Sequence, residues 1–153
     1  MPRIGLISDT HGLLRPEALA FLRGSDRIVH GGDIGQASVL EQLASIAPVT
    51  AVRGNNDHGA WAEALPETDV LEVGEVLIYV IHDIAQLDVD PAAAGLQVVV
   101  CGHSHKPLTK ERDGILYLNP GSAGPRRFKL PVSVAELLLS AETLSARIVE
   151  IQV

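Results

Sequence analysis

The sequence predicts an α/β protein, with an α+β-like second half, in which two mixed β-sheets pack face to face as a sandwich flanked by helices. Two patterns lead to this fold class. The first third of the chain alternates short apolar strands with amphipathic helices, which favours a parallel sheet. The rest contains short apolar segments separated by Gly-containing turns, which is typical of β-hairpins. We expect residues 1–153 to form a single domain.

The elements of the first third follow from periodicity and from their boundary residues. The apolar segments 3–8, 27–30 and 49–53 are predicted strands, and segments 16–23 and 37–46 are predicted helices. Pro16 at an early helical position and Gly24 after the last turn favour these limits for the first helix. The resulting βαβαβ order predicts three parallel strands.

The later segments indicate antiparallel pairing around one buried strand. Segments 70–73 and 75–81 form a predicted hairpin that turns near Gly74, and His82 lies at its far end. The Val-rich run 97–101 is typical of a strand buried on both faces. Asp113-Gly114 is a hairpin-type dipeptide, and segments 132–139 and 144–151 read as a last pair of strands.

Charge and composition restrict the partners of the protein. A formal net charge of −7 disfavours binding to nucleic-acid polymers or to an anionic membrane surface. No apolar run reaches the roughly 20 residues that a membrane-spanning helix needs, and no secretory signal is apparent. The single cysteine, Cys101, suits a small buried residue in a reducing cytoplasm, where we expect the protein to reside. The exposed face of the terminal strands leaves a homo-oligomer open.

Polar side chains collect where the predicted strands end. Asp9 and His11 close the first strand, and further carboxylate, amide and imidazole groups close four others, at Asp33, Asn55, His82, and His103 with His105. Ligands of open α/β sheets bind beyond the carboxyl ends of the strands, so these groups should converge on one site. Carboxylate, amide and imidazole ligands suit divalent ions such as Mn, Fe, Co, Ni or Zn.

Spacing gives a second reason to expect a metal site. Residues two apart on an extended chain point the same way, so Asp9 with His11 and His103 with His105 could each direct two ligands inward. Taken singly, Asp9 or Asn55 could be a turn residue and His82 a core histidine. Their combination at successive strand ends favours metal binding.

The ordered series D-T-H, G-G-D, G-N-N-D, a lone His after a strand, and G-H-S-H resembles the calcineurin-like metallophosphoesterase superfamily. The short length and the segment Asn119–Ser122 are similar to its compact bacterial and archaeal phosphodiesterase branch. The resemblance implies a metallo-dependent phosphatase fold and two divalent ions, Mn first, with Fe, Zn, Ni, Co or Mg as alternatives. One ion would be held by Asp9, His11, Asp33 and His105, and the other by Asp33, Asn55, His82 and His103. Asp33 would bridge the two.

The resemblance further implies a hydrolase for a small phosphate ester, with a phosphodiester favoured over a monoester. Hydroxide bridging the two ions would attack the phosphorus in line, because paired ions lower the pKa of bound water towards about 7. The implied catalytic residues are His11, Asp33 and Asn55. Candidate substrate-binding residues are Asn55, Asn56 and His58. The retromer subunit, which resembles this branch, suggests a protein-interaction scaffold as the alternative, but the complete ligand series favours an enzyme.

Two positions depart from the pattern of the superfamily. Asn56 stands where many relatives have a His that protonates the leaving group, and an amide cannot do so. His58 could substitute or could be an exposed loop residue. Asp83 stands where relatives usually have Gly, and we expect its carboxylate to orient His82. His30 is predicted to be a packed core residue rather than a ligand.

Overall fold

The computed structural model describes residues 2–127, 129–140 and 142–153. The strands are β1 (Arg3–Ile7), β2 (Arg27–His30), β3 (Val49–Ala51), β4 (Thr68–Val73), β5 (Val76–Ile81), β6 (Val98–Val100), β7 (Leu108–Arg112), β8 (Ile115–Asn119), β9 (Ser133–Leu139) and β10 (Leu144–Glu150). The α-helices are α1 (Pro16–Leu22), α2 (Ala37–Ala44) and the single turn α3 (Ala60–Glu63), and a 3-10 helix covers Ile84–Gln86.

The strands form two mixed five-stranded sheets, as predicted. The first sheet has the order β10-β9-β1-β2-β3, in which β1, β2 and β3 run parallel and β9 and β10 pair antiparallel. The second sheet has the order β4-β5-β6-β8-β7, with β5, β6 and β8 parallel and antiparallel strands at both edges. The predicted βαβαβ unit and the predicted hairpins are therefore confirmed.

The two sheets share one apolar core, which makes them a sandwich. Alternate residues of each strand point into it, because side chains of a strand alternate between the two faces. The core residues contributed by the first sheet and its loops are Ile4, Leu6, Val29, Val52, Ala135, Leu137 and Leu139. Those of the second sheet are Leu71, Ile78, Val80, Val98, Val100 and Leu118.

The outer faces of the two sheets are covered differently. Helices α1 and α2 bury Ala18, Leu22, Val39 and Leu43 against the first sheet. Within the described residues, no α-helix covers the second sheet, whose outer face packs against Leu96 and Leu87 of the segment after β5. The prediction of flanking helices is thus right for the first sheet only. No helix among the described residues has the length and apolar character needed to cross a membrane.

Candidate metal centre

The loops that follow the parallel strands are joined to one another by backbone hydrogen bonds at one end of the sandwich. In the first sheet, the amides of Asp9 and His11 donate to the carbonyls of Gly32 and Asp33 at 3.0 and 2.9 Å. In the second sheet, the amide of Gly102 donates to the carbonyl of His82 at 2.9 Å. Within each sheet these bonds fix the loops of neighbouring strands relative to each other, as the predicted convergence requires.

A first group of ligand-type atoms joins the loops after β1 and β6. Nε2 of His105 lies 3.4 Å from Oδ1 of Asp9, and Nε2 of His11 lies 4.0 Å from the same oxygen. The ligand atoms of these three residues all lie within 4.8 Å of one another, which is close enough to hold one ion. We call this set the Asp9 cluster.

A second group joins the loops after β2, β5 and β6, and we call it the Asp33 cluster. It contains Asp33, His82 and His103, again with ligand atoms within 4.8 Å of one another. Nε2 of His82 lies 3.3 Å from Oδ2 of Asp33. Oδ1 of Asn55 is 3.0 Å from that nitrogen and 3.2 Å from Nδ1 of His103, so Asn55 belongs to the same group.

Asp33 lies between the two clusters. Its Oδ2 is 3.3 Å from Nε2 of His82 in one cluster and 3.8 Å from Nε2 of His11 in the other. All seven residues predicted from the sequence as metal ligands are therefore gathered in one place. The arrangement also places Asp33 where a residue shared by two ions would have to be.

Asp9 shows how the surrounding chain prepares one oxygen for a cation. Its Oδ2 accepts hydrogen bonds from Oγ of Ser8 at 2.6 Å and from the amide of His103 at 3.1 Å. Its Oδ1 and Nε2 of His11 are buried and have no hydrogen-bond partner among the described residues. Leaving such atoms without partners costs about 1–3 kcal/mol each, which a bound cation would offset. The site therefore fits a metal ion.

His82 is oriented by the main chain. Its Nδ1 donates to the carbonyl of Gly31 at 2.7 Å, which directs Nε2 towards the Asp33 cluster. Burial alone would lower the pKa of His82, but its bonds to the Asp33 carboxylate and the Gly31 carbonyl outweigh burial and raise that pKa. The expectation that Asp83 orients His82 is wrong. Asp83 accepts from the amide of Ala85 at 3.0 Å and lies 3.8 Å from Nε2 of His103 instead.

Asn56 holds the carboxylate of Asp33 with two hydrogen bonds. Its amide donates to Oδ1 at 2.9 Å and its Nδ2 donates to Oδ2 at 3.1 Å. Burial opposes ionisation of Asp33, but the hydrogen bonds from His82 and Asn56 hold its pKa well below the usual range. Asp33 is therefore anionic at neutral pH. These bonds engage Asn56 with Asp33, and its assignment to substrate binding stays a prediction.

The sequence reasoning missed Asp57. This residue is 5% exposed, and its carboxylate accepts from three backbone amides, those of Ile34 (2.8 Å), Gly35 (3.0 Å) and Gly54 (2.9 Å). It thereby joins the loop that carries Asp33 to the loop that carries Asn55. The G-N-N-D run did contain this aspartate, but nothing in a loop sequence tells which carboxylate turns inward.

The backbone of the site is strained where the ligands lie. Six described residues other than glycine have a positive φ, and five of these are predicted ligands, namely Asp9 (53°), His11 (48°), Asp33 (55°), His103 (70°) and His105 (63°). The extended chain predicted at the D-x-H pair and at the H-x-H pair is therefore wrong. His103 and His105 lie in different clusters, which is the division that the resemblance implies.

His30 is a core residue, as predicted. It is fully buried, and its Nδ1 accepts from the amide of Gly32 at 3.1 Å, so Nε2 carries the proton and donates to Oγ1 of Thr10 at 3.0 Å. That hydroxyl in turn donates to the carbonyl of Ile34 at 2.8 Å. Burial lowers the pKa of His30 to about 4, so the ring is neutral at pH 7. This chain of bonds supports the loop between Asp9 and His11.

The turn Asn119–Ser122 lies against the same loops, where the resemblance had implied it. Nδ2 of Asn119 donates to the carbonyl of Gly102 at 3.0 Å, and Oγ of Ser122 donates to the carbonyl of Asp9 at 3.1 Å. The turn therefore supports the site through backbone atoms. Arg126 and Arg127, a few residues later, are exposed.

Two cavities open beside the Asp33 cluster. The larger measures about 630 Å³, and His58, Asn55, His82 and His103 are part of its wall. The smaller measures about 310 Å³, and most of the surface of its wall is apolar, with Ile84 and Leu108 among the contributing residues. His103 and Asp83 contribute to both. The space beside the clusters is therefore large enough for organic groups attached to a phosphate.

Comparison with known proteins agrees with this geometry. The family model of the calcineurin-like phosphoesterase superfamily domain matches residues 2–142. A probable metallophosphoesterase of Methanothermobacter thermautotrophicus is 35% identical, over 95% of this chain and 91% of the relative. A phosphodiesterase of Methanocaldococcus jannaschii is 28% identical, over 78% of this chain and 82% of its own. The crystal structure of Chaetomium thermophilum Vps29 has the same fold, with a TM-score of 0.79 at 18% identity and 97% coverage of both chains.

Proposed function

This chain belongs to the calcineurin-like phosphoesterase superfamily, and on that premise we propose that it hydrolyses phosphodiesters with the help of two divalent metal ions. The single observation that carries the proposal is the pair of buried, unpartnered atoms in the Asp9 cluster. Oδ1 of Asp9 and Nε2 of His11 face each other without a hydrogen bond among the described residues, as two ligands of one cation do.

The proposed ligands are divided between the two clusters. Asp9, His11 and His105 hold one ion and Asn55, His82 and His103 hold the other, with Asp33 shared between them. Manganese is the ion we expect first, as the family resemblance implies, and the carboxylate, amide and imidazole donors without a thiolate suit Mn as well as Fe, Co, Ni or Zn. Bound divalent ions would supply a water with a pKa lowered towards neutrality and positive charge for the phosphoryl oxygens.

The residues of this chain then act by holding and orienting. Asn55 turns Oδ1 to the two histidines, which leaves its Nδ2 free to donate to a phosphoryl oxygen and stabilise charge in the transition state. Asn56 keeps both oxygens of Asp33 in place. We propose that His11 and Asp33, whose Nε2 and Oδ2 atoms lie 3.8 Å apart, act beside the reacting phosphorus. We propose His58, on the wall of the larger cavity, as a residue that contacts the organic part of the substrate.

Two features support a diester over a monoester. Asn56, which replaces the general acid of many relatives, donates one side-chain N–H to Asp33, and an amide is not acidic enough to protonate a leaving group. Esters with good leaving groups suit such a site. The two cavities that meet at His103 also leave room for two organic groups on one phosphorus. The phosphodiesterase of M. jannaschii, named above, is a relative of this kind.

The first experiment is hydrolysis of bis(4-nitrophenyl) phosphate and of 4-nitrophenyl phosphate by metal-stripped protein, with and without added Mn. We expect Mn-dependent turnover with the diester preferred. Asp33→Asn and His103→Ala should each reduce kcat/KM by about 100-fold, because ligand losses remove the ion or displace it. Asp113→Asn, in the exposed β7–β8 turn, is the matched control and should keep full activity.

A folded protein that binds neither Mn nor Zn in a titration would contradict the proposal. The alternative of a protein-interaction scaffold would then be favoured. The likeness to Vps29 at low sequence identity shows only that the two chains share the fold. Equal or faster turnover of the monoester would contradict only the preference for diesters. A rate that does not change with the pKa of the leaving group, with chemistry limiting, would contradict the argument from Asn56.

A further inference from the structure

We propose that the 630 Å³ cavity beside His82 and His103 binds an organic group of the substrate that carries an ammonium charge. The inference rests on the proposed function for the phosphate end of the substrate and adds the chemical class of the group attached to it. The volume of the cavity falls within the range of about 300–1,000 Å³ that small-molecule sites occupy. The cavity borders Asn55 and both histidines, so an organic group within it lies next to the reacting phosphate.

Away from the proposed metal ligands, the charge of the cavity wall is negative. Arg53 is its only Lys or Arg in the described residues, and its Nη2 is engaged by Oε1 of Glu67 at 2.9 Å. Asp83 and Asp88 also line the cavity, and neither forms an ion pair with Lys or Arg in the described part of the chain. These two carboxylates would repel a second phosphate and attract a cation.

Tyr79 gives a second and independent indication of a ligand. Its side chain lies on the outer face of the second sheet, is only 7% exposed and lines the cavity. Its hydroxyl makes no hydrogen bond to any described residue. The hydroxyl is not among the buried side-chain atoms that lack a partner, so it opens to the cavity and is available to a bound molecule. The aromatic ring itself favours an ammonium group.

The two carboxylates and the aromatic ring of Tyr79 together favour one class of phosphoester over others. A nucleotide or a polynucleotide would bring further negative charge into a wall that already holds two carboxylates without a Lys or Arg partner among the described residues. An uncharged alcohol would gain packing against Tyr79 and Ile81 but nothing from Asp83 and Asp88. An amino alcohol gains from both, and a phosphodiester of an amino alcohol is the substrate class that this wall fits best.

The binding test uses a matched pair of probes with metal-free protein at low ionic strength. Choline and its uncharged isostere 3,3-dimethylbutan-1-ol are titrated separately and followed by NMR shifts of residues around Tyr79. We expect choline to bind about fivefold more tightly, because its trimethylammonium group meets two partly exposed carboxylates. Asp88→Asn should lower that preference to about twofold. Asp113→Asn, which changes the net charge equally but away from the cavity, should keep it.

Equal affinity for the two probes, or a preference that Asp88→Asn leaves unchanged, would overturn the proposal. The kinetic test compares 4-nitrophenyl phosphocholine with 4-nitrophenyl 3,3-dimethylbutyl phosphate on Mn-loaded protein. We expect kcat/KM to favour the choline ester by about fivefold, mainly through KM. If neither ester is hydrolysed, the proposed function fails while the binding test still decides the chemistry of the cavity.

Discussion

At the scale of single residues, the left-handed backbone of the ligands has a cost in folding free energy. A side chain with a Cβ loses of order 1 kcal/mol in this conformation relative to glycine. Five of the predicted ligands adopt it. Their conformation directs side chains that are close in sequence into two separate clusters. The strained backbone is therefore needed to place the ligands.

The cost can be measured at His103, whose side chain is 46% exposed and so contributes little packing. We predict that His103→Gly is more stable than His103→Ala by about 1 kcal/mol in metal-free protein, because glycine relieves the strain at φ 70°. Urea unfolding of both variants measures the difference. This order is the reverse of the usual one for the two residues.

His58 is the matched control for that prediction. It is an exposed histidine of the site whose φ is not positive, so glycine there only adds flexibility to the unfolded chain. His58→Gly should be less stable than His58→Ala by about 0.5 kcal/mol. The same order of stability at both positions would refute the argument from strain.

At the scale of elements, the loops after β2 and β3 depend on Asp57. We predict that Asp57→Ala lowers the free energy of unfolding by about 3 kcal/mol, because it leaves three amides without their charged acceptor. Asp57→Asn should cost less, since one oxygen can still accept from Ile34 and Gly35. Thermal and urea unfolding of metal-free protein provide the measurement.

Asp88→Ala is the control for Asp57, because it removes an exposed carboxylate of another loop. This substitution should change the free energy of unfolding by no more than about 0.5 kcal/mol. If Asp57→Ala were as mild as Asp88→Ala, the loops would be held by backbone pairing alone. The hydrogen bonds from His11 and Gly12 to the loop after β2 would then be sufficient.

The elements also show which parts of the site could be predicted from sequence. Asp9, Asp33 and His82 were found because each follows a recognisable apolar strand, and parallel strands bring their ends together. The division of His103 and His105 between two clusters is implied by the resemblance but does not follow from their spacing, because it depends on backbone torsions within one short loop. The carbonyl of Gly31 that orients His82 is likewise invisible in the sequence, since every residue has one.

At the scale of the whole molecule, the buried His30 makes stability depend on pH. Its pKa falls from about 6.5 in the unfolded chain to about 4 in the fold, so the unfolded state binds the proton more readily. The stabilisation is present above pH 6.5 and is lost as pH falls towards 4. From pH 7 to pH 5 we predict a loss of about 2 kcal/mol from this residue.

The variant His30→Gln isolates that contribution. It removes the titrating group, so its free energy of unfolding should fall by about 2 kcal/mol less than that of the wild type over the same pH interval. Urea unfolding of both metal-free proteins at pH 7 and pH 5 is the measurement. Parallel pH profiles would mean that His30 is protonated equally in the folded and unfolded states.

The global architecture was largely accessible from sequence, and its exception has a physical cause. Strand periodicity and turn residues predicted both sheets, because each strand must bury alternate residues in the shared core. The covering of the second sheet was not predicted correctly. Leu87 and Leu96 supply the buried apolar groups there from irregular chain, which has no period to recognise.

The strained ligands of this fold bear on how its function can be lost over time. A copy of the gene released from selection for hydrolysis would not only tolerate replacement of the half-exposed His103 by glycine but could gain folding stability from it. Most routes by which enzymes decay lower stability and are purged. In this fold, a substitution that removes a strained ligand can raise the free energy of unfolding. We therefore expect descendants that keep the fold without the enzymatic activity to arise readily.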